Sequence, residues 1–333
     1  VGNGHVQHTA PFMGGGGGPA GWGGAIAVVP YEMYKIYGDK ETFRRYLPKI
    51  LRYFDYLDSR SSGGLVCREE EGGWCLGDWC PPEPITICEP FVNTALYVKQ
   101  MMMTKEASEA IGESETAAML EKRIEEKKQA ILSAYYSPQT GSFIGDAQGA
   151  NSFDIGLGGE RAFNNTKKKY DAADAFDTGI FGTDILTRVL FERGCADTAF
   201  RLLTSTGKGS FYNMKKQGAT TIWENWDGER SHSHPMFGAV TRYLFSFILG
   251  ITQEKNSAGY EKIVIAPQIP DGLNRASGHI TTVRGEIAVS FIRTEREMDF
   301  YVTVPQKAWF TYGSDCEYEL WEGENHIHID FEE

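Results

Sequence analysis

The feature that most constrains the fold is a change of hydrophobic period near residue 250. Before it, apolar residues recur at three- and four-residue steps. Phe43, Leu47, Ile50, Leu51, Phe54 and Leu57 repeat in this way behind Asp39, an N-cap type of residue, so residues about 40–58 are predicted to form an amphipathic helix that Pro48 can bend. Similar patterns predict helices over about 24–37, 85–104, 114–136, 174–193, 195–206 and 235–249. Gly194 and Gly250 stand where glycines end helices. Long loops rich in Gly, Trp and Asp separate these segments, notably GGWCLGDWCPPEP and the stretch around Trp223. An all-helical array with long aromatic loops fits an α/α toroid, whose site is built from loops at one end.

After Gly250 the pattern is that of strands. IVIAPQIP, HITTVRGEIAVSFIRT, MDFYVTV and YELWEG alternate or run apolar over short stretches with turn residues between them. The expected organisation is therefore a helical domain over residues 1–252 and a β-sandwich over 259–333, joined near Gln253 to Gly259. No repeat of fixed period is visible.

Charge and composition narrow the function classes. A net charge of −12 over 333 residues repels phosphate backbones and anionic lipid, so neither nucleic acid nor a membrane surface is an expected partner. No apolar run reaches the roughly 18 residues of a membrane span. The N-terminal VGNGHVQHTAPF has no basic segment followed by an apolar core. With no initiating Met and a Gly-rich start, the chain is expected to be a piece of a longer protein. That leaves its compartment open, with a periplasmic or extracellular place favoured over a cytoplasmic one. The run Gly14 to Gly18 lacks the preceding strand and the Gly-Lys-Ser/Thr ending of a phosphate loop, and reads instead as a flexible lead into Trp22. Cys67, Cys75, Cys80 and Cys88 contain no CxxC spacing, so they read as small buried or scattered thiols rather than a zinc site. No metal ligand or cofactor is assigned.

Residues 218–234, GATTIWENWDGERSHSH, carry the sharpest chemistry. Glu224 lies between Trp223 and Trp226, with Asp227 beside it and His232 and His234 downstream. Sugar rings present an apolar C–H face to indoles and hydroxyls to carboxylates or imidazoles. GDW at Gly77 to Trp79 and WENWD supply both, and Trp22 adds a third aromatic loop. An alternative is that each indole plugs the core beneath its loop. Glu224 flanked by two indoles is expected to be partly desolvated, which raises a carboxylate towards the proton-transfer range. Glycoside hydrolysis uses two carboxyl groups, and Asp78 is the natural partner on this reading. Asp227 is expected to shape a turn with Gly228.

GATTIWENWDG resembles the signature of the bacterial α-L-rhamnosidases of glycoside hydrolase family 78. GWGGAIAVVPYEMYKIYGD, DTGIFGTDILTRVLFERG, GYEKIVIAPQIP and TTVRGEIAVSF resemble the family's flanking blocks in the same order. The resemblance implies an (α/α)6 barrel followed by a C-terminal β-sandwich, and inverting removal of terminal α-L-rhamnose from a glycoside or polysaccharide. It implies Glu224 as general base, with Trp22, Asp78, Trp79, Trp223 and Trp226 lining the pocket. His234, after the Ser-rich SHSHP turn, is read either as a further pocket residue or as a cap at a helix start. Three departures stand out. The family's acid motif, of the type Asp-Cys-Pro-Gln-Arg-Asp-Glu, is not in this sequence, and only about seven or eight helices are predicted where a full barrel has twelve, so the acid is expected on a missing N-terminal portion. Such a gap is expected to leave an apolar seam and to favour self-association. Gly24 stands where the family commonly has Asp after Trp-Gly. Arg284 stands where some members place a His that reaches the sugar, and is either a hydroxyl donor or an exposed strand residue. The alternatives are a carbohydrate-binding relative without catalysis, or another α/α-barrel glycosidase of glucoamylase or trehalase type.

Overall fold

A computed structural model describes residues 2–9, 11, 20–68, 75–153, 156–314 and 316–331; the Gly14 to Gly18 run lies outside them. Helices α1 (Ala25–Tyr37) and α2 (Lys40–Ser59) form a hairpin turned by Gly38, whose φ of 71° suits a residue without Cβ. Asp39 caps α2 as expected, its carboxylate accepting from the Thr42 amide at 2.9 Å. The stripe Phe43, Leu47, Ile50, Phe54 and Leu57 is buried.

Short hairpin strands β1 (Ser61–Ser62) and β2 (Leu65–Val66) lead to a second pair, α3 (Glu89–Ala110) and α4 (Ser114–Tyr135). Helix α3 is displaced towards the C-terminus from the predicted 85–104. Pro90 in its first turn fixes the start. Its last turns bury Thr104, Ala107 and Ser108, which carry little hydrophobic signal. Strands β3 (Tyr136–Ser137) and β4 (Ser142–Phe143) precede α5 (Gly159–Ala172), which the periodicity does not predict because its buried stripe is only Ala162, Thr166 and Tyr170. Helix α6 (Ile180–Glu192) packs with α7 (Ala196–Leu203), and α8 (Phe211–Lys216) follows. The last helical stretch changes pitch along its length, from a 3₁₀ turn over Pro235–Val240 through Thr241–Tyr243 to a π-turn over Leu244–Ile248.

The strands that follow build two four-stranded sheets. The first runs in the order β11 (Cys316–Leu320), β10 (Ala308–Tyr312), β6 (Ile263–Ile265), β5 (Ile251–Gln253), with β10 parallel to β6. The second runs β12 (Gly323–Asp330), β9 (Glu297–Val304), β8 (Gly285–Arg293), β7 (Arg275–Thr282) and is antiparallel throughout. Ile287, Val289 and Phe291 of β8 face Phe310 and Ile263 across the sandwich, with the alternation that a half-buried strand requires.

The two parts share one core. Phe191 of α6 stacks on Phe247 with ring centres 5.0 Å apart, and Gly278 of β7 leaves room for Leu249 and Phe245. Lys35 in the last turn of α1 donates to the Lys255 and Ser257 carbonyls, and its own carbonyl accepts from Gln253 and Gly259. Where α1, α3 and α6 face one another, the side chains are charged. Arg242 pairs with Asp184 at 2.8 Å, Tyr31 and Lys35 both bond Glu106, and burial raises the Glu32 carboxyl above its ordinary value. Burial, with the charges of Arg188 and Arg242, holds the Lys99 amine down to about 8. No helix among the described residues is long and apolar enough to cross a membrane.

Candidate active site

The site is organised by the first turn of α6. A helix start leaves amides without partners, and here the missing acceptor comes from a loop distant in sequence. The Asp78 carboxylate accepts from Gly179 N at 2.7 Å, Phe181 N at 2.9 Å and Gly182 N at 3.0 Å. Gly179 and Gly182 make this approach possible, because a Cβ at either would lie within 2.7 Å of an Asp78 carboxyl atom. Burial pushes the Asp78 carboxyl up to about 7 while the three amides pull it down. Ile180 N also donates to Trp79 O at 2.8 Å, so Asp78 and Trp79 are tied to the helix start by four hydrogen bonds, three through the Asp78 carboxylate and one through the Trp79 carbonyl.

Trp79 carries that order to the acid. Its indole Nε1 donates to Glu224 Oε1 at 3.0 Å, and the Arg230 guanidinium lies over its ring, 4.9 Å from the centroid. Ser231 N donates to Glu224 Oε2 at 3.3 Å, while Glu224 N donates to Ser231 O at 2.8 Å. Each carboxylate oxygen keeps a second acceptor position for a water. Trp22, half-buried, meets Phe181 with ring centres 4.6 Å apart, which brings a third chain segment to the same helix start. Cys80 follows Trp79, and burial together with the Glu224 charge pushes its thiol up to about 12, so it stays neutral.

The two indoles beside Glu224 are buried against other groups. Trp226 is 5% exposed, stacked on Phe176 at 5.8 Å, against Phe237 at 4.1 Å, with Nε1 donating to Thr178 O at 2.9 Å. Trp223 is also 5% exposed, stacked on His232 at 4.4 Å and packed on Gly228, where a Cβ would fall 2.4 Å from the ring. Both are anchors of the loop, and Glu224, half-buried, is held by Trp79 instead. Asp227 Oδ1 accepts from Glu229 N at 3.1 Å in the turn that Gly228 completes with a φ of 76°.

Asp78 is 6% exposed and accepts three hydrogen bonds from the backbone amides of α6, so what the geometry gives it is the helix start. His234 sits at the start of the Pro235 turn, where its amide donates to Ile222 O at 2.8 Å and its side chain makes no capping bond. Arg284 lies elsewhere. Its Nε donates to Gly259 O and its NH2 to Glu261, beside Lys35 at the far end of α1. From Trp22, at the other end of α1, that is about 20 Å at 1.5 Å per residue. A turn residue between β7 and β8 is what the geometry gives.

Gly24 is buried, and a Cβ there would lie 2.1 Å from Gln100 Nε2. The Gln100 amide thus fills the space of a side chain at 24. Its Nε2 bonds Ala20 O at 2.5 Å, and its buried Oε1 has no hydrogen-bond partner among the described residues. Gln100, Phe181, Arg230 and Ser231 have no mark in the sequence, because their roles exist only once α3, α6 and the 218–234 loop meet.

Residues 2–248 match the family described as bacterial α-L-rhamnosidase 6 hairpin glycosidase domain, and residues 250–310 match the bacterial α-L-rhamnosidase C-terminal domain. The chain belongs to the bacterial α-L-rhamnosidase family. It is 27% identical over 318 residues to an α-L-rhamnosidase of Alteromonas sp. (strain LOR), aligning 86% of this chain with 33% of that one. It is 28% identical over 305 residues to an α-L-rhamnosidase of Streptomyces avermitilis, aligning 86% of this chain with 28% of that one. The chain therefore spans about a third of the length of the curated rhamnosidases it matches. In fold it is similar to the Streptomyces avermitilis α-L-rhamnosidase complexed with L-rhamnose, with a TM-score of 0.85 at 22% identity over 99% of this chain and 35% of that one. It is similar as well to the Dictyoglumus thermophilum enzyme, with a TM-score of 0.83 at 18% identity over 95% of this chain and 40% of that one. A six-hairpin glycosidase domain followed by a C-terminal β domain is the rhamnosidase architecture seen here.

Proposed function

We propose that the protein containing this chain removes terminal α-L-rhamnose from a glycoside or polysaccharide by an inverting reaction in which Glu224 is the general base. Glu224 takes a proton from a water as the water oxygen bonds C1. The C1 bond to the aglycone oxygen breaks, and that oxygen takes a proton from a second carboxyl about 6.5–9.5 Å away. The acid is part of the proposal and lies outside the residues named in the site, since Asp78 is committed to α6. Trp22 and Trp79 are proposed to face the sugar. The observation that carries the reading is the Glu224 carboxylate, held at both oxygens by Trp79 Nε1 and Ser231 N yet with acceptor positions free, in a chain of the rhamnosidase family.

The test is the Glu224→Gln variant of the whole protein on an aryl α-L-rhamnoside, with the anomer of the first product read by NMR. Loss of general-base catalysis is worth about 10²–10⁴ in rate, so kcat is expected to fall by that factor with the melting temperature unchanged. Near-normal turnover would remove Glu224 from the chemistry, and a product of retained configuration would remove inversion. Rhamnoside binding without release of sugar by the wild type would favour the non-catalytic relative, which the Gln100-filled space at Gly24 suits. Self-association of this chain alone belongs to the same proposal. Helix α1 exposes Val29 and Ile36, seven residues apart and so on one face, and sedimentation of the isolated chain reads the outcome.

A further inference from the structure

The sequence HIHID ends the last strand of the sandwich, and its alternation puts His326, His328 and Asp330 on the exposed face of β12. Register places Tyr301, Asp299 and Glu297 of β9 directly opposite these three. Glu297 and Asp330 are thus like charges in opposed positions, an arrangement that destabilises a ladder unless something positive sits between them. His328 is the group that reaches both strands. Its Nδ1 lies 2.9 Å from Asp299 Oδ1 and its Nε2 lies 3.2 Å from Asp330 Oδ1. Asp299 Oδ1 also meets His326 Nε2 at 2.7 Å, and the His326 ring is stacked on Tyr301 at 4.8 Å.

We propose that Glu297, His328 and Asp330 form a surface site for a divalent zinc ion on the β9–β12 edge of the sandwich, distant in sequence from Glu224. One ligand atom from each of the three lies within 4.8 Å of the others. A tetrahedral zinc with bonds of about 2.0–2.1 Å needs ligand separations of about 3.3 Å, which the His328 and Asp330 pair already has at 3.2 Å, while Glu297, within 4.8 Å, has to draw in. Water takes the fourth position. Asp299 acts as the outer partner. By accepting from His328 Nδ1–H it fixes the tautomer that leaves the Nε2 lone pair for the metal, and His326 in turn holds Asp299. One imidazole with two carboxylates suits zinc or a neighbouring transition ion better than magnesium or calcium, which prefer all-oxygen sites. The ion would neutralise the opposed carboxylates and pin the last strand to its neighbour.

The experiment is zinc titration of the chain against a chromogenic chelator, with magnesium and calcium as controls and circular dichroism to check each variant's fold. The wild type is expected to bind one equivalent that His328→Ala and Glu297→Gln both lose, whereas Asp299→Asn weakens it by about 10–100-fold. His326→Ala, which removes no ligand, is expected to retain the equivalent. Both glutamate and histidine variants lie on an exposed face, so one of the two suffices if the other misfolds. Absence of saturable zinc binding overturns the site. So does binding unchanged in His328→Ala, which would place the ion elsewhere, for instance on cysteine thiols.

Discussion

Replacing Asp78 separates its role as the start of α6 from a role in a sugar pocket. Removing the carboxylate in Asp78→Ala strands the amides of Gly179, Phe181 and Gly182 in a position where Asp78 is only 6% exposed. A hydrogen bond to a charged group contributes about 1.5–3 kcal/mol, but the three share one acceptor and water can reach part of the vacated space, so a loss of about 3–5 kcal/mol is expected. In Asp78→Asn one oxygen remains, and it can still accept from Phe181 and Gly182. The new amide group then faces Gly179 N, donor against donor, but the cost of burying the charge that raises the carboxyl to about 7 is also removed, so the net loss is expected to be smaller than in Ala, about 1–2 kcal/mol. Urea unfolding at pH 8.5, where the wild-type carboxyl is ionised, measures both, with a common slope confirming that the unfolded states are comparable. The ordering matters as much as the size. Variants within about 0.5 kcal/mol of wild type, or an Asn variant worse than Ala, would refute the capping argument.

Two further outcomes follow from buried groups of the helical part. Lys99, held down to about 8 by burial and by Arg188 and Arg242, has a folded value below its unfolded 10.5, so its contribution to stability is present above about 10.5 and is lost as pH falls to 8. Lys99→Met is therefore expected to be more stable than wild type at pH 7, by up to roughly 3 kcal/mol, with the gain shrinking between pH 8 and 10.5, and equal or lower stability at pH 7 would refute it. Gly24→Asp, which restores the family's common residue, is expected to destabilise because its Cβ meets the Gln100 amide at 2.1 Å. Adding Gln100→Ala should recover most of that loss in thermal melts, and a double variant no better than the single one would show that Gln100 is not the obstacle.

The two-part architecture is legible in the sequence because each part buries a regular face. Phe43 to Leu57 and Ile287 to Phe291 carry their period in strongly apolar residues, and those elements fall where the period puts them. Helix α5 escapes because Ala162 and Thr166 are buried for their small size rather than their hydrophobicity. The start of α6 escapes for another reason. Ala175 and Phe176 extend the predicted helix backwards to 174, but the group that begins the helix at Ile180 is Asp78, and no local window contains it. In the site, Glu224 is visible as an acid in an aromatic loop, whereas Gln100 and Phe181 acquire their meaning only from contact. Arg284 shows the converse, a position suggested by likeness that this chain uses to close a turn against Glu261.

The placement of two tryptophans around one acid has a mechanical explanation in this structure. Trp223 and Trp226 are three residues apart in a loop without regular backbone bonds, and each drives its indole into the core on one side of Glu224. Burying a Trp is worth several kcal/mol, far more than the single backbone pair between Glu224 and Ser231 could supply. The loop is thereby fixed at both flanks, with Glu224 and Asn225 half-buried between the two anchors. Desolvation by flanking indoles, the reading that composition suggests, would need the rings to face the carboxylate. Their ring contacts are with Phe176, Phe237 and His232, and the indole that hydrogen-bonds the carboxylate, Trp79, arrives from a loop tied to α6. The precision of Glu224 therefore depends on two independent supports, core anchoring of its own loop and capping of a helix by Asp78, and a lesion in either should move the carboxylate without touching it.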